Sequence, residues 1–206
     1  VYFNMLIEYS TSETVGQLAN NINTKINASI EKMDMAAKQV IFSDTITQYF
    51  LDSSYNGSML LDRSYRQVIS HMLHEIIGPN YPFVNQINLI NCTTGNYIGA
   101  GLYPLETLVA LSEIKQSDLI RSTLEKNGLI NIIPPHRDQW SGNSGSIVFS
   151  VARSFKSTRN AALYGVVEVP CSLHVLSDIV KNTLSSTKYV EKIFIFSLHG
   201  TIIYCN

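Results

Sequence analysis

Residues 12–51 read SETVGQLANNINTKINASIEKMDMAAKQVIFSDTITQYFL, and this stretch decides the fold. Apolar side chains recur in it three or four positions apart, the spacing of one face of an α-helix. They are Val15, Leu18, Ile22, Ile26, Ile30, Met33, Ala37, Val40 and Ile41. No proline interrupts residues 10–78, and a turn-forming cluster at residues 52–58 ends the pattern. The spacing predicts one helix of about 40 residues, roughly 60 Å long, which is expected to extend past its domain as a stalk or a dimer seam.

Composition limits the function classes. The chain has 206 residues, a formal net charge of −1 and 15% charged residues, where a typical soluble domain has about 25%. Ser, Thr and Asn supply polarity instead, which fits a secreted or surface domain. Because no basic stripe is present, no nucleic-acid partner is expected. Residues 1–7 are apolar but far shorter than the roughly 18 residues of a membrane span. They read either as a tag remnant or as the last turns of a helix leaving a membrane.

Beyond residue 58, helices and strands are segregated along the chain. Further helices are predicted at residues 62–77, 104–127 and 172–184. Five strands are predicted at residues 85–92, 97–101, 129–133, 146–155 and 161–169, followed by a hairpin at residues 190–205. This segregation predicts an α+β fold with an antiparallel five-stranded sheet. The order of the elements is that of a PAS-like sensor domain behind a long N-terminal stalk helix.

Several stretches together carry a family resemblance. They are LANNI and MDMAAKQVIFS at residues 18–22 and 33–43, IVFSVAR at 147–153, YGVVEV at 164–169 and the hairpin at 190–205. They look like a stalk helix, a strand that ends on an arginine, the last strand of a sensor module and the opening hairpin of a second module. In this order they resemble the extracellular Cache domains (double Cache, PAS-like) of sensor histidine kinases from Gram-positive bacteria.

The resemblance implies a stalk helix at residues 1–52, a membrane-distal Cache module at 53–184 and the start of a truncated membrane-proximal module at 185–206. It implies an extracellular, non-catalytic domain of a cell-membrane protein that binds a small molecule and signals through the long helix. No cofactor is expected. The expected partners are the membrane, through flanking segments, and a second copy in a homodimeric receptor. A chemoreceptor is the alternative receptor, and a structural or adhesive module is the alternative from another class.

Residues 133–140 hold the strongest candidates for the ligand site that the resemblance implies. His136, Arg137, Asp138 and Trp140 lie there, and Trp140 is the only tryptophan of the chain. A tryptophan face beside a guanidinium and a carboxylate can clamp a small polar ligand. The alternative is a surface loop with solvated charges. The spacing departs from the amino-acid-binding motif of some Cache domains, an arginine and then an adjacent Trp-Tyr pair, so amino-acid sensing is in doubt.

Arg153 and three tyrosines complete the candidate set. Alternation along its strand puts Arg153 on one face with Val151 and Phe155. Its charge therefore needs a partner, either a ligand carboxylate or an internal acid such as Glu168. The tyrosines either line the same cavity or pack in the ordinary core; they are Tyr97, Tyr103 and Tyr164.

Three other patterns suggest competing chemistry. His71 and His74 have a metal-like spacing but no third ligand in view, so a solvated helix face is favoured and no metal is expected. GNSGS at residues 142–146 resembles the nucleophile loop of trypsin-like glutamyl endopeptidases, with Ser144 as nucleophile. A helical first 80 residues and the lack of a suitable histidine disfavour a protease. Cys92 and Cys171 could pair, but free buried thiols fit the odd count of three cysteines better.

Overall fold

The structure, a computed structural model, describes residues 2–52, 63–140, 145–184, 193–196 and 202–205. The helices are α1 (Tyr2–Ile41), α2 (Asp44–Thr47), a π-helical turn (Gln48–Asp52), α3 (Arg63–Asn80), α4 (Leu111–Gln116), α5 (Asp118–Glu125) and α6 (Leu173–Leu184). The strands are β1 (Gln86–Asn91), β2 (Asn96–Gly101), β3 (Leu105–Leu108), β4 (Asn131–Arg137), β5 (Ile147–Lys156), β6 (Tyr164–Ser172), β7 (Phe194–Phe196) and β8 (Ile202–Cys205). The chain divides into two compact units, Lys32–Ser172 and Val1–Glu31 with Leu173–Asn206.

Six strands form the sheet of the Lys32–Ser172 unit, in the order β3–β2–β1–β6–β5–β4. Every neighbouring pair in this sheet is antiparallel. The predicted α+β class with a long N-terminal helix is confirmed, and the sheet has one strand more than predicted. β7 and β8 form a separate two-stranded hairpin in the other unit.

The additional strand is β3, which lies inside the stretch 104–127 that was predicted to be helical. It pairs with β2 along its four residues, for example with Glu106 opposite Ile98. Four residues are too few to distinguish strand alternation from helical spacing. The helical part begins only at α4, and Ser117 then caps α5 by accepting a hydrogen bond from the N–H of Ile120 at 3.4 Å.

The long helix α1 ends at Ile41, not at residue 52 as the apolar spacing predicted. A new helix begins at Ser43, whose hydroxyl accepts a hydrogen bond from the N–H of Ile46 at 3.2 Å. A serine at this position favours a helix start because it satisfies a free backbone donor. Among the described helices, none is both long and apolar enough to cross a membrane.

Two strands continue past their predicted ends, residues 133 and 169, and run through the prolines that follow. β4 passes through Pro134 and Pro135 with a register shift between Ile133 and His136. Proline is tolerated there because β4 is an edge strand with a partner on one side only. β6 passes through Pro170, which lies beyond Glu168, the last residue of the β6 ladder with β1. Its missing N–H therefore costs no hydrogen bond to β1.

The two faces of the sheet pack against different helices. On the α5 face, strand residues pack against α4 and α5 in one apolar cluster that includes Ile90, Tyr97, Ile114, Ile120, Trp140, Ala152 and Val166. On the α1 face, Arg153 contacts Asp34 of α1, and β1 and β2 contact α3. The strand side chains of that face are almost fully buried, among them Leu89, Ile98, Val151 and Val167.

Candidate ligand-binding site

Five polar side chains meet on the α5 face of the sheet, and we call them the polar cluster. They are Asn88, Tyr97, His136, Ser150 and Glu168. Strand register brings them together, because Asn88 of β1 lies opposite Glu168 of β6. Side chains two residues apart on a strand share a face, which places Ser150 beside Ala152, the β5 partner of Glu168.

Glu168 is the centre of the polar cluster and is only 1% exposed. Its Oε1 accepts a hydrogen bond from the Ser150 hydroxyl at 2.7 Å, and its Oε2 accepts one from Nδ2 of Asn88 at 3.1 Å. A buried carboxylate without such donors would be strongly unfavourable. The cluster therefore holds an acidic group between the sheet and its helices.

His136 connects the edge strand β4 to this carboxylate. Its Nε2 lies 3.4 Å from Oε1 of Glu168 and 3.4 Å from Oγ of Ser150, and its Nδ1 lies 2.9 Å from the carbonyl oxygen of Pro134. Burial alone lowers the pKa of the imidazole. The hydrogen bonds to Glu168 and Pro134, with the negative charges of Glu168 and Asp138, outweigh burial and raise the pKa of His136 above 6.5.

Tyr97 extends the polar cluster toward β2. Its hydroxyl donates to Oδ1 of Asn88 at 2.8 Å, and Nε2 of Gln86 donates to the same oxygen at 3.1 Å. Burial, followed by the charges of Glu168 and Asp138, raises the pKa of Tyr97, so the phenol stays protonated. Gly99 leaves room for these groups, since a Cβ there would lie 2.5 Å from the Tyr97 hydroxyl.

Asp138 and Trp140 border the polar cluster, and each is 7% exposed. The Asp138 carboxylate accepts a hydrogen bond from the backbone N–H of Trp140 at 3.1 Å, which is a local Asx turn. The indole of Trp140 stacks on Tyr97 with ring centroids 6.4 Å apart. Its Nε1–H is buried and has no hydrogen-bond partner within the described ranges. A buried donor without a partner costs free energy, so a ligand acceptor could satisfy it.

The structure brings together half of the residues that the sequence nominated. Tyr97, His136, Asp138 and Trp140 lie in or beside the polar cluster. Tyr103 is 44% exposed, but its backbone N–H and carbonyl hold Gln86. The other three lie elsewhere: Arg137 exposed at the end of β4, Arg153 on the α1 face and Tyr164 at the far end of β6.

Arg153 has an internal partner, and it is Asp34 rather than Glu168. Its Nε and Nη2 donate to the two carboxylate oxygens of Asp34 at 2.6 and 3.0 Å, and its Nη1 donates to the carbonyl of Gly128 at 2.6 Å. Burial tends to raise the pKa of Asp34, but Arg153 and Lys38 outweigh it and hold the pKa below 3.8. Arg153 therefore links β5 to α1 and lies on the face of the sheet away from the polar cluster.

Three residues of the polar cluster were missed from the sequence. Asn88 and Ser150 were not singled out, and Glu168 was considered only as a partner for Arg153. A usable signal was present, since the polar Gln86 and Asn88 alternate with apolar residues in β1. Its meaning depends on register, because only pairing with β6 places Asn88 beside the glutamate.

The competing patterns are resolved in part. His71 lies on an exposed helix face, with its Nδ1 3.6 Å from Oε1 of Glu75. Cys92 and Cys171 are buried and free, and burial raises the pKa of each thiol to about 12. Ser144 lies outside the described residues, as do residues 185–192 of the expected second module.

Tyr164 lines an open cavity of about 360 Å³ near the β5–β6 turn. Its other walls include Leu124, Asn127 and Lys156. This cavity lies at the start of β6, where Tyr164 is the first residue, whereas Glu168 lies four residues further on, at the middle of the strand. The eight nominated residues therefore do not line one common cavity.

Comparison with solved structures finds the same fold in receptor domains. The ligand-binding domain of the Pseudomonas aeruginosa PAO1 amino-acid chemoreceptor PctC, in complex with GABA, has a TM-score of 0.61 and 15% identity, over 94% of this chain and 75% of its own. The ligand-binding domain of the Pseudomonas fluorescens chemoreceptor CtaA, in complex with L-serine, has a TM-score of 0.57 and 16% identity. The match covers 97% of this chain and 72% of the CtaA domain.

The extracellular domain of a histidine kinase, vpHK1S-Z8, has a TM-score of 0.57 and 12% identity, over 84% of this chain and 63% of its own. No family model and no curated protein matches the sequence. The fold is thus that of ligand-binding domains of chemoreceptors and of the extracellular domain of a histidine kinase. At these identities the likeness shows the fold, and the function is inferred from the site.

Proposed function

We propose that this chain is a non-catalytic, extracytoplasmic ligand-sensing domain of a transmembrane receptor, and that its small-molecule site is the polar cluster with Asp138 and Trp140. The fold supports this proposal because it occurs in ligand-binding domains of receptors. The observation that carries it is the concentration of buried polar groups around Glu168. Sheets normally pack apolar side chains against helices. Burying the polar cluster with its carboxylate at that position costs stability, which indicates a role in binding.

In this proposal, strand β5 couples the ligand site to the long helix α1. Ser150 points into the polar cluster, and three residues later Arg153 points to the opposite face and holds Asp34 of α1. A ligand that alters the cluster can therefore act on the helix through one strand. Coupling requires only that the ligand bind two arrangements of the domain with different affinity.

For the output we propose a bacterial sensor histidine kinase that acts as a homodimer in the cell membrane. A chemoreceptor is the alternative, and the structural neighbours include both classes. We also propose that residues 185–206 begin a second, membrane-proximal module. The β7–β8 hairpin supports this, since two isolated strands are marginally stable in water and need a further layer to pack against.

A thermal-shift screen with a broad metabolite library tests the proposal. A ligand at about 100 times its Kd stabilises the folded state by about 2.7 kcal/mol, which is roughly 5–10 °C for a chain of this size. Ser150→Ala should reduce the shift, because it removes a donor to Glu168. Ser112→Ala, a matched change at an exposed position of α4, should leave it unchanged. A library without a stabilising compound, or a hit insensitive to Ser150→Ala, would refute the proposed site.

A further inference from the structure

We infer that the polar cluster takes a small organic cation without a carboxylate, namely a primary ammonium that carries an uncharged hydrogen-bond acceptor. This inference rests on the proposed function and names the chemistry of its ligand. It separates this chain from structural neighbours whose bound ligands, GABA and L-serine, are zwitterions with a carboxylate.

The charges around the polar cluster favour a cation. Glu168 and Asp138 are buried carboxylates, and both act on the Tyr97 hydroxyl and the His136 ring. They contribute two negative charges, of which a protonated His136 offsets one. Counted over these three side chains alone, the site is acidic in either state of the histidine, and an ammonium is the ligand group whose charge complements them.

Neither of the two arginines nominated from the sequence lies in the polar cluster, where it could pair with a ligand carboxylate. Arg153 is bound to Asp34 on the α1 face, and Arg137 is exposed at the end of β4. A carboxylate placed beside Glu168 would meet a like charge, which binding sites use to reject ligands.

Trp140 supplies an independent reason for a ligand and specifies its second group. The residue is 7% exposed, its ring stacks on Tyr97 of the polar cluster, and its Nε1–H has no partner within the described ranges. The two aromatic rings can hold an ammonium by cation–π attraction. The indole N–H needs an acceptor, which an ammonium lacks, so the ligand must bring a neutral carbonyl or hydroxyl oxygen.

Calorimetric titration with four related probes tests this chemistry. 4-Aminobutanamide carries the ammonium and a neutral acceptor, 4-aminobutanoate replaces the amide by a carboxylate, butanamide lacks the ammonium, and butylamine lacks the acceptor. The first should bind most tightly, with a Kd lower by roughly tenfold or more than that of the carboxylate or of butanamide. A carboxylate that binds as well as the amide, or the absence of binding by every amine, overturns the inference.

Variants assign the binding to the polar cluster. Glu168→Gln and Asp138→Asn should each raise the Kd for 4-aminobutanamide by roughly tenfold or more. The matched change Glu113→Gln, at an exposed position of α4, should leave this Kd unchanged. Trp140→Phe should weaken the binding of 4-aminobutanamide but not that of butylamine, because the change keeps an aromatic ring and removes the Nε1–H donor. Melting curves without ligand confirm that each variant is folded. Binding that all of these variants retain lies elsewhere and overturns the inference.

The two proposals fail in different ways. If the metabolite screen yields anions or zwitterions whose binding is lost in Ser150→Ala, the sensor function stands and the cation is wrong. If the screen yields nothing, the sensor function fails first.

Discussion

Replacing Arg153 by methionine should destabilise the Lys32–Ser172 unit by about 3 kcal/mol. Removing one partner of a buried ion pair costs about 3–5 kcal/mol, since the other charge is left without compensation. The side chains of Arg153 and Asp34 are 11% and 12% exposed, and Lys38 remains 2.8 Å from the Asp34 carboxylate. These facts place the loss at the lower end of that range.

Urea unfolding and thermal melting measure this loss. For a chain of this length, about 3 kcal/mol corresponds to a fall in Tm of roughly 6–12 °C. The matched control is Arg121→Met, because Arg121 also forms a salt bridge but is 63% exposed, and it should cost less than about 1 kcal/mol. The double variant Asp34→Leu/Arg153→Met should lose about 2 kcal/mol less than the sum of its single changes. Additive losses, or an Arg153→Met cost equal to the control, would refute a direct buried pair.

Other changes test the polar cluster and the thiols. Gly99→Ala should cost about 1–3 kcal/mol in urea unfolding by overpacking, since its Cβ would lie 2.5 Å from a buried tyrosine hydroxyl, whereas Gly78→Ala, with open space around it, should not destabilise. The pKa of His136 is higher in the folded protein than the ordinary value of 6.5, so protonation of His136 stabilises the fold below pH 6.5. This contribution is lost as the pH rises through the folded-state pKa. Unfolding free energies of wild type and His136→Gln should show this loss only in wild type; parallel pH profiles would contradict it. Cys92 and Cys171 should react with a thiol reagent only on unfolding, and fast labelling of the native protein would show that they are not buried.

Regular spacing could be read directly from the sequence, and local interruptions could not. The 3.6-residue period of α1 is repeated over about seven turns, from Val15 to Ile41, so it survives any single exception. Its end at Ile41 depends on one hydroxyl, that of Ser43, competing with an apolar pattern that continues. The prolines of β4 were misleading for a related reason. Their effect depends on whether the strand is at an edge, and strand order is a tertiary property.

The candidate site was predictable where its residues are adjacent in sequence. His136, Asp138 and Trp140 stand together, so their residue types alone indicated a site. Asn88 and Glu168 are 80 residues apart, and only register makes them neighbours. For Arg153, alternation correctly required a partner, but Glu168 faces the opposite side of the sheet because it is paired with Ala152.

Ligand binding at the polar cluster should be coupled to the α1 contact through strand β5. Ser150 and Arg153 are three residues apart on β5, about 10 Å along the strand, and they serve opposite faces of the sheet. If 4-aminobutanamide shifts the arrangement of α1, reciprocity requires that weakening the Arg153–Asp34 pair change the affinity for the ligand by the same coupling factor, typically about 5–150-fold. Calorimetry on Arg153→Met should therefore give a changed Kd even though Arg153 lies on the face away from the polar cluster. Arg121→Met should keep the wild-type Kd. An unchanged Kd in Arg153→Met would mean that the α1 contact does not report on ligand binding, and the signal would then have to leave the domain by another route.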